Sequence, residues 1–166
     1  YDDRRNGGLR VNTFRSDPRK PAKPNYRGLN IPFVNFGGGV TTDSLFCDNE
    51  QIIFDFYETA GKAQRYRRSL DIGATIGVHS ILMARQGWEV EGYEPDREHW
   101  YLSNAVVPLN INLFNGDREP RIWRSAVSDH CGRESFIRVK GNTTSSHLKG
   151  DKQPYGELEE FEVQVV

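Results

Sequence analysis

Apolar and polar positions change rhythm several times along the chain, and each change predicts an element. "DNEQIIFDFYETAG" places Ile52 with Phe56, and Ile53 with Tyr57 and Ala60, at helical spacing. Asp48 is suited to cap that helix, with Gln51 three residues on as a capping-box variant and Gly61 at the C-terminal end. "RRSLDIG" then predicts a strand ending at Ile72, and "GVHSILMARQG" a helix closed by Gly87. "WEVEGY" alternates as a strand does. Asp96 opens a further helix that runs to about Val107, where Pro108 stops it, with Leu102, Ala105, Val106 and Leu109 as its buried stripe. "RIWRSAV" predicts a third strand, and "ESFIRVK" and "EFEVQVV" two more. Strand, helix, strand, helix, strand is the opening of an open α/β sheet.

Charge changes this picture only at the N-terminus. Net charge is −1, yet residues 1–30 hold eight Arg or Lys against three Asp, so the remainder carries −6. Pro18, Pro21, Pro24 and Pro32 punctuate the same stretch, which has few large apolar residues. Residues 1–32 are expected to be a basic, Pro-rich tail or linker, a solvated one in preference to a nucleic-acid arm. Residues 33–68 follow as an N-terminal helix and flank, and 69–166 as the ligand-binding part. Cys47 and Cys131 are too few and too far apart for a zinc pattern or disulfide framework, so no metal is expected and a cytoplasmic setting is. No apolar run approaches the roughly 20 residues of a membrane span. "NTT" at Asn142 fits a glycosylation acceptor but without secretion is only a polar turn. A start at Tyr1 and an end on a strand-like run are expected of a fragment.

The candidate chemistry sits between the first two strands of the ligand-binding part. In an open α/β sheet a ligand lies at the carboxyl ends of the strands, where a glycine turn lets backbone approach it. Gly73 and Gly77 occupy that turn, and Glu94, 23 residues past Asp71, ends the next strand. A dinucleotide and S-adenosylmethionine both use such an acid on ribose hydroxyls. The dinucleotide fingerprint, however, has a middle glycine where Thr75 stands. A carboxylate at Asp71 would also repel a pyrophosphate, while it complements an ammonium and a sulfonium. Charge and spacing favour S-adenosylmethionine.

With "LDIGATIGVHSILMARQGWEVEGYEPD", then "LSNAVVPLN", "SAVSDHCGRESF" and "TTSSHL", the chain from Ser69 to Val166 resembles the FkbM-type methyltransferases, a branch of the class I S-adenosylmethionine-dependent enzymes. The resemblance implies a Rossmann-like sheet, truncated after its first half. It places Asp71, Gly73 and Gly77 around the methionine end of the cofactor, Glu94 on the ribose, and Ser125, Ala126 and Val127 beside adenine. Ala74 and Pro95 complete the expected cofactor-binding positions. Such enzymes mostly methylate hydroxyls, which implies O-methylation of a saccharide or other small-molecule acceptor. The family's next segments, a "TLD"-like stretch and a strand ending in "DVEG", would follow Val166. Without them the strand ending at Ile72 is expected to be an open edge.

The remaining candidates are weaker. His79, just inside the helix after the turn, and His147, in an expected polar loop, are the candidate catalytic bases, with packing or cofactor support favoured for His79. His99 and His130 are expected at the surface, and Asp129 either near adenine or capping a turn. "NFGGGVTTD" lacks the Gly-Lys-Ser/Thr ending of a phosphate loop and predicts a hinge. Trp88, Trp100 and Trp123 are expected to pack, and no Asp-Pro-Pro-Tyr-like motif for methylating a base is present. Two other functions compete with the methyltransferase: a nicotinamide-dependent oxidoreductase, and a non-catalytic module binding nucleic acid through the basic tail.

Overall fold

The protein is described here from a computed structural model, which covers residues 24–63, 68–114, 118–153 and 155–166. Most of the expected tail lies outside the described residues. Its last part packs: Leu29 and Ile31 are buried, and Arg27 pairs with Asp55 at 2.7 Å and Glu58 at 3.3 Å.

The expected hinge is a hairpin instead. β1 (Asn35–Gly37) and β2 (Val40–Thr41) pair antiparallel, and Gly37 bridges to Asn142. Helix α1 (Asp48–Lys62) follows, with Cys47 rather than Asp48 at the cap position. Gln51 makes no capping box. Its amide donates to the Phe46 and Asn25 carbonyls and its carbonyl oxygen accepts from Arg27. Gly61 lies inside the helix, where an added Cβ would stand 2.7 Å from Gln86 Cβ. The packed face therefore runs through Phe54, Gly61 and the expected Tyr57 and Ala60, while Ile52, Ile53 and Phe56 are exposed.

The parallel part matches the predicted rhythm. β3 (Arg68–Ile72), α2 (Val78–Arg85), β4 (Glu89–Tyr93), α3 (Arg97–Val106) and β5 (Arg121–Trp123) give a three-stranded parallel sheet in the order β3-β4-β5. Val90, Ile76, Val78, Ile81, Leu82, Val106 and Phe54 form the main core. α3 buries His99, Ser103 and Val106, so Ala105 and Leu109 of the expected stripe are exposed and Leu102 is only partly covered. Asp96 does cap this helix, accepting from the Glu98 and His99 backbone N–H groups.

β6 (Gly132–Val139), β7 (His147–Leu148) and β8 (Leu158–Val165) form a separate antiparallel sheet, ordered β7-β6-β8. Phe136, Val163, Val165 and Ala126 form its smaller core. The two sheets join where Ala126 N donates to Gln164 O at 2.9 Å and Val166 N donates to Ala126 O at 3.1 Å. Among the described residues no strand pairs with the outer edge of β3, and Leu70 and Ile72 there are 64% and 63% exposed. No helix among the described residues is long and apolar enough to cross a membrane.

Candidate functional site

The turn from β3 into α2 carries backbone strain. Gly73, Thr75 and Gly77 all have positive φ, at 80°, 52° and 85°. A β-branched residue in the left-handed region costs on the order of 1–3 kcal/mol, so the surroundings must hold it there. Thr75 Oγ1 donates to Gly73 O at 3.1 Å, and Thr75 N donates to Glu94 Oε2 at 2.8 Å. The Gly73 and Ala74 N–H groups donate to Tyr93 O, which fastens the turn to the end of β4.

The two glycines do different things. A Cβ on Gly77 would meet Ile122 Cδ1 at 3.0 Å, with Ser103 and Val107 at 3.6 Å, so this glycine lets α2 close onto α3 and β5. A Cβ on Gly73 would meet nothing within 4 Å. Only its backbone conformation demands glycine there, and the space beside it is open to a ligand.

Glu94 is the centre of the arrangement. It is 5% exposed, its Oε2 accepts from Thr75 N, and its Oε1 accepts from Asp96 N at 2.8 Å. Burial pushes its carboxyl up to about 7, and the charges of Asp96 and Asp71 push the same way, against the two backbone hydrogen bonds. Each carboxylate oxygen keeps a second lone-pair direction, the requirement for accepting from a ribose hydroxyl. Pro95 stands between Glu94 and the cap residue Asp96. Asp71, half-buried at the end of β3, accepts from Ser80 Oγ at 2.6 Å. Asp71, Gly73, Ala74, Gly77, Glu94 and Pro95 therefore gather around one turn. The third strand ends at Trp123, so Ser125, Ala126 and Val127 lie past it, and Ala126 has its backbone partners at Gln164 on β8 and at Val166.

The histidines separate clearly. His79 stands in the first turn of α2 with Nδ1 3.1 Å from Tyr57 Oη and Nε2 3.2 Å from Glu50 Oε2. His147 belongs to β7 rather than a loop, and is buried with Nδ1 donating to Ser145 O. His99 is buried, not at the surface: its Nε2 meets Thr143 Oγ1 at 2.9 Å, its ring packs edge-on to Phe36, and burial lowers its pKa. His130 is exposed as expected, between Asp129 and Glu134. Trp88 is buried and Trp100 donates to Ile122 O, whereas Trp123 is half exposed on the open sheet face.

Sequence reasoning missed Thr75 as a strained residue, Ser80 as the partner of Asp71, and Gly92. A Cβ on Gly92 would lie 3.0 Å from Ser80 Oγ and 3.3 Å from Ala74 Cβ, so this strand glycine admits both. A glycine inside an otherwise alternating strand was the available signal. Among the described residues no cluster of His, Cys, Asp and Glu has the arrangement to hold a metal.

No protein-family model matches the chain, and no curated protein matches it. A solved structure of a SAM-dependent methyltransferase from Agrobacterium tumefaciens overlaps 46% of this chain with 18% identity and a TM-score of 0.41. The overlap spans 24% of that protein's own length.

Proposed function

We propose that this chain carries the S-adenosylmethionine-binding turn of an FkbM-type, class I methyltransferase that transfers a methyl group to a hydroxyl of a saccharide or other small molecule. The observation that carries the reading is the turn Gly73–Gly77, closed by the buried Glu94 carboxylate with Asp71 at the strand end. When bound, the cofactor supplies an electrophilic methyl group on a positively charged sulfur. Asp71 complements the positive charges at that end, and Glu94 accepts from ribose hydroxyls. Gly73 leaves the space into which the ligand comes. Because methyl transfer is an in-line displacement, the protein's work is mainly to position the acceptor, with a base to take its proton.

The nicotinamide alternative fares less well at Thr75. A pyrophosphate needs that position bare, and here it carries a side chain bonded to Gly73 O above an acidic strand end. The nucleic-acid alternative rests on the N-terminal tail, mostly outside the described residues. Titrating the full chain by calorimetry with S-adenosylhomocysteine, NAD and an oligonucleotide separates the three. S-adenosylhomocysteine is expected to bind in the micromolar range or tighter, and NAD far more weakly. Comparable NAD affinity overturns the reading.

A further inference from the structure

His79 is part of a chain of polar groups for which cofactor binding has no use. On α1, Glu50 and Tyr57 are seven residues apart and point at the same imidazole on α2. Tyr57 Oη stands 3.1 Å from Nδ1 and Glu50 Oε2 3.2 Å from Nε2. The ring is held from the side by Phe54, at 5.4 Å between centroids, and is about one-third exposed. Glu50 Oε2 is shut off from solvent and makes no well-aligned hydrogen bond, so the imidazole nitrogen is its polar neighbour. Burial, then the charges of Asp71 and Glu50, keep the Tyr57 hydroxyl above its usual pKa and hence protonated at neutral pH. The charged groups facing the ring are thus Glu50 from α1 and, through Tyr57, Asp71 from β3.

A neutral imidazole in this setting accepts from Tyr57 through Nδ1 and carries its own hydrogen on Nε2, on the side of Glu50. It has one proton-accepting position, reached through a hydroxyl that is able both to donate and to accept. We propose that Glu50, His79 and Tyr57 form a proton-accepting relay beside the cofactor turn. This rests on the methyltransferase reading and adds the destination of the acceptor's proton. The acceptor oxygen forms its bond to the methyl carbon as the carbon–sulfur bond breaks, and that bond's electron pair stays on sulfur. The acceptor's proton passes to Tyr57 Oη, whose own hydrogen moves to His79 Nδ1, leaving an imidazolium against the Glu50 carboxylate. Positive charge lost at the sulfonium is regained on the ring, so the net charge of the site is unchanged.

That compensation is measurable without knowing the acceptor. A neutral thioether beside the relay favours the imidazolium, and a sulfonium disfavours it. Calorimetric titrations of the full chain with S-adenosylmethionine and with S-adenosylhomocysteine, in buffers of different ionisation heat near pH 6.5, give the protons taken up with each. The homocysteine ligand is expected to take up more, by several tenths of a proton. Protons exchanged at Glu94 are common to both ligands, which share the ribose, and cancel in the difference. His79→Asn should abolish the difference, and Tyr57→Phe, which keeps the ring packing, should reduce it. Equal proton numbers in the unmodified protein overturn the relay alone, whether or not the variants fold. A difference that survives in a folded His79→Asn protein also overturns it, and failure of both ligands to bind overturns the cofactor reading together with it.

Discussion

At the scale of single residues, Glu94 makes stability and binding depend on pH in opposite directions. Its carboxyl titrates at about 7 in the fold against 4.5 ordinarily, so between these values the folded chain binds more protons than the unfolded one. Stability therefore falls as pH rises through this window, by an amount bounded at about 3 kcal/mol, since one pKa unit is about 1.4 kcal/mol. Urea midpoints should drop from pH 5 to 7.5, and Glu94→Gln should flatten that slope. Ribose hydroxyls donate to the ionised form, so cofactor affinity should instead rise about tenfold from pH 6 to pH 8. Affinity independent of pH, with Glu94→Gln binding as tightly as the parent, would assign Glu94 to the turn alone. The glycines offer a second check. Gly77→Ala should cost stability, at about 1–3 kcal/mol for strain and overpacking, whereas Gly73→Ala should lose proportionally more cofactor affinity because its Cβ enters open space. Equal losses of affinity per unit of stability would contradict the difference drawn between them.

At the scale of elements, the sequence was most legible where local chemistry decides the outcome. Asp96 before α3, Gly87 after α2 and the alternation of β4 act within a turn or a strand, and the structure keeps all three. On α1 the expected Tyr57 and Ala60 pack, but Ile52, Ile53 and Phe56 are not among the residues that tertiary packing chose. Gly61 sets the face by letting the helix lie close on Gln86, a long-range contact with no local signature. His99 was misplaced for a similar reason: polarity predicts exposure, but Thr143 and Phe36, distant in sequence, enclose it. In the site, the glycines and acids were visible, while the clamp of Glu94 on Thr75 N and the Asp71–Ser80 bond were not, because each joins residues from different elements. Asp96 carries more than its cap. Its Oδ2 lies 2.8 Å from Arg138 Nε as an ion pair without hydrogen-bond alignment, and it is 1% exposed. Asp96→Ala should cost about 1–3 kcal/mol, because it removes the helix cap and one of the carboxylates around a largely buried guanidinium that Glu98 and Glu159 still hold. Asp96→Asn, which keeps the capping oxygen, should recover roughly 1 kcal/mol of that. Denaturant melts that place both variants within a few tenths of the parent would show that Glu98 and Glu159 hold Arg138 equally well without Asp96.

At the scale of the whole molecule, a parallel sheet ordinarily has both faces covered, and among the described residues one is open here. α2 and α3 carry the buried partners on the side of Val90 and Gly92, while Leu70, Ile72 and Trp123 stand exposed on the other side. The outer edge of β3 adds unpaired backbone donors and acceptors among the described residues. Arg68 and Glu89 pair at 3.1 Å at one end of this face, but no charge interrupts β3 between Leu70 and Ile72 except Asp71, which points to the other side at Ser80. Glu91 stands level with Leu70 on β4, but β3 itself carries only Arg68 on this face, so self-association through its unpaired edge is the expected consequence. Sedimentation velocity should show the average mass rising with concentration through the micromolar range. Leu70→Lys should suppress that rise, because a lysine on an exposed edge opposes strand pairing and has no packing to lose there. The same substitution should leave the far-ultraviolet circular dichroism and the urea midpoint nearly unchanged, since Leu70 contributes little buried area. Two outcomes would contradict this account of the open face: a parent protein that stays monomeric at about 100 micromolar, within the range where exposed apolar edges aggregate, or a Leu70→Lys variant that unfolds.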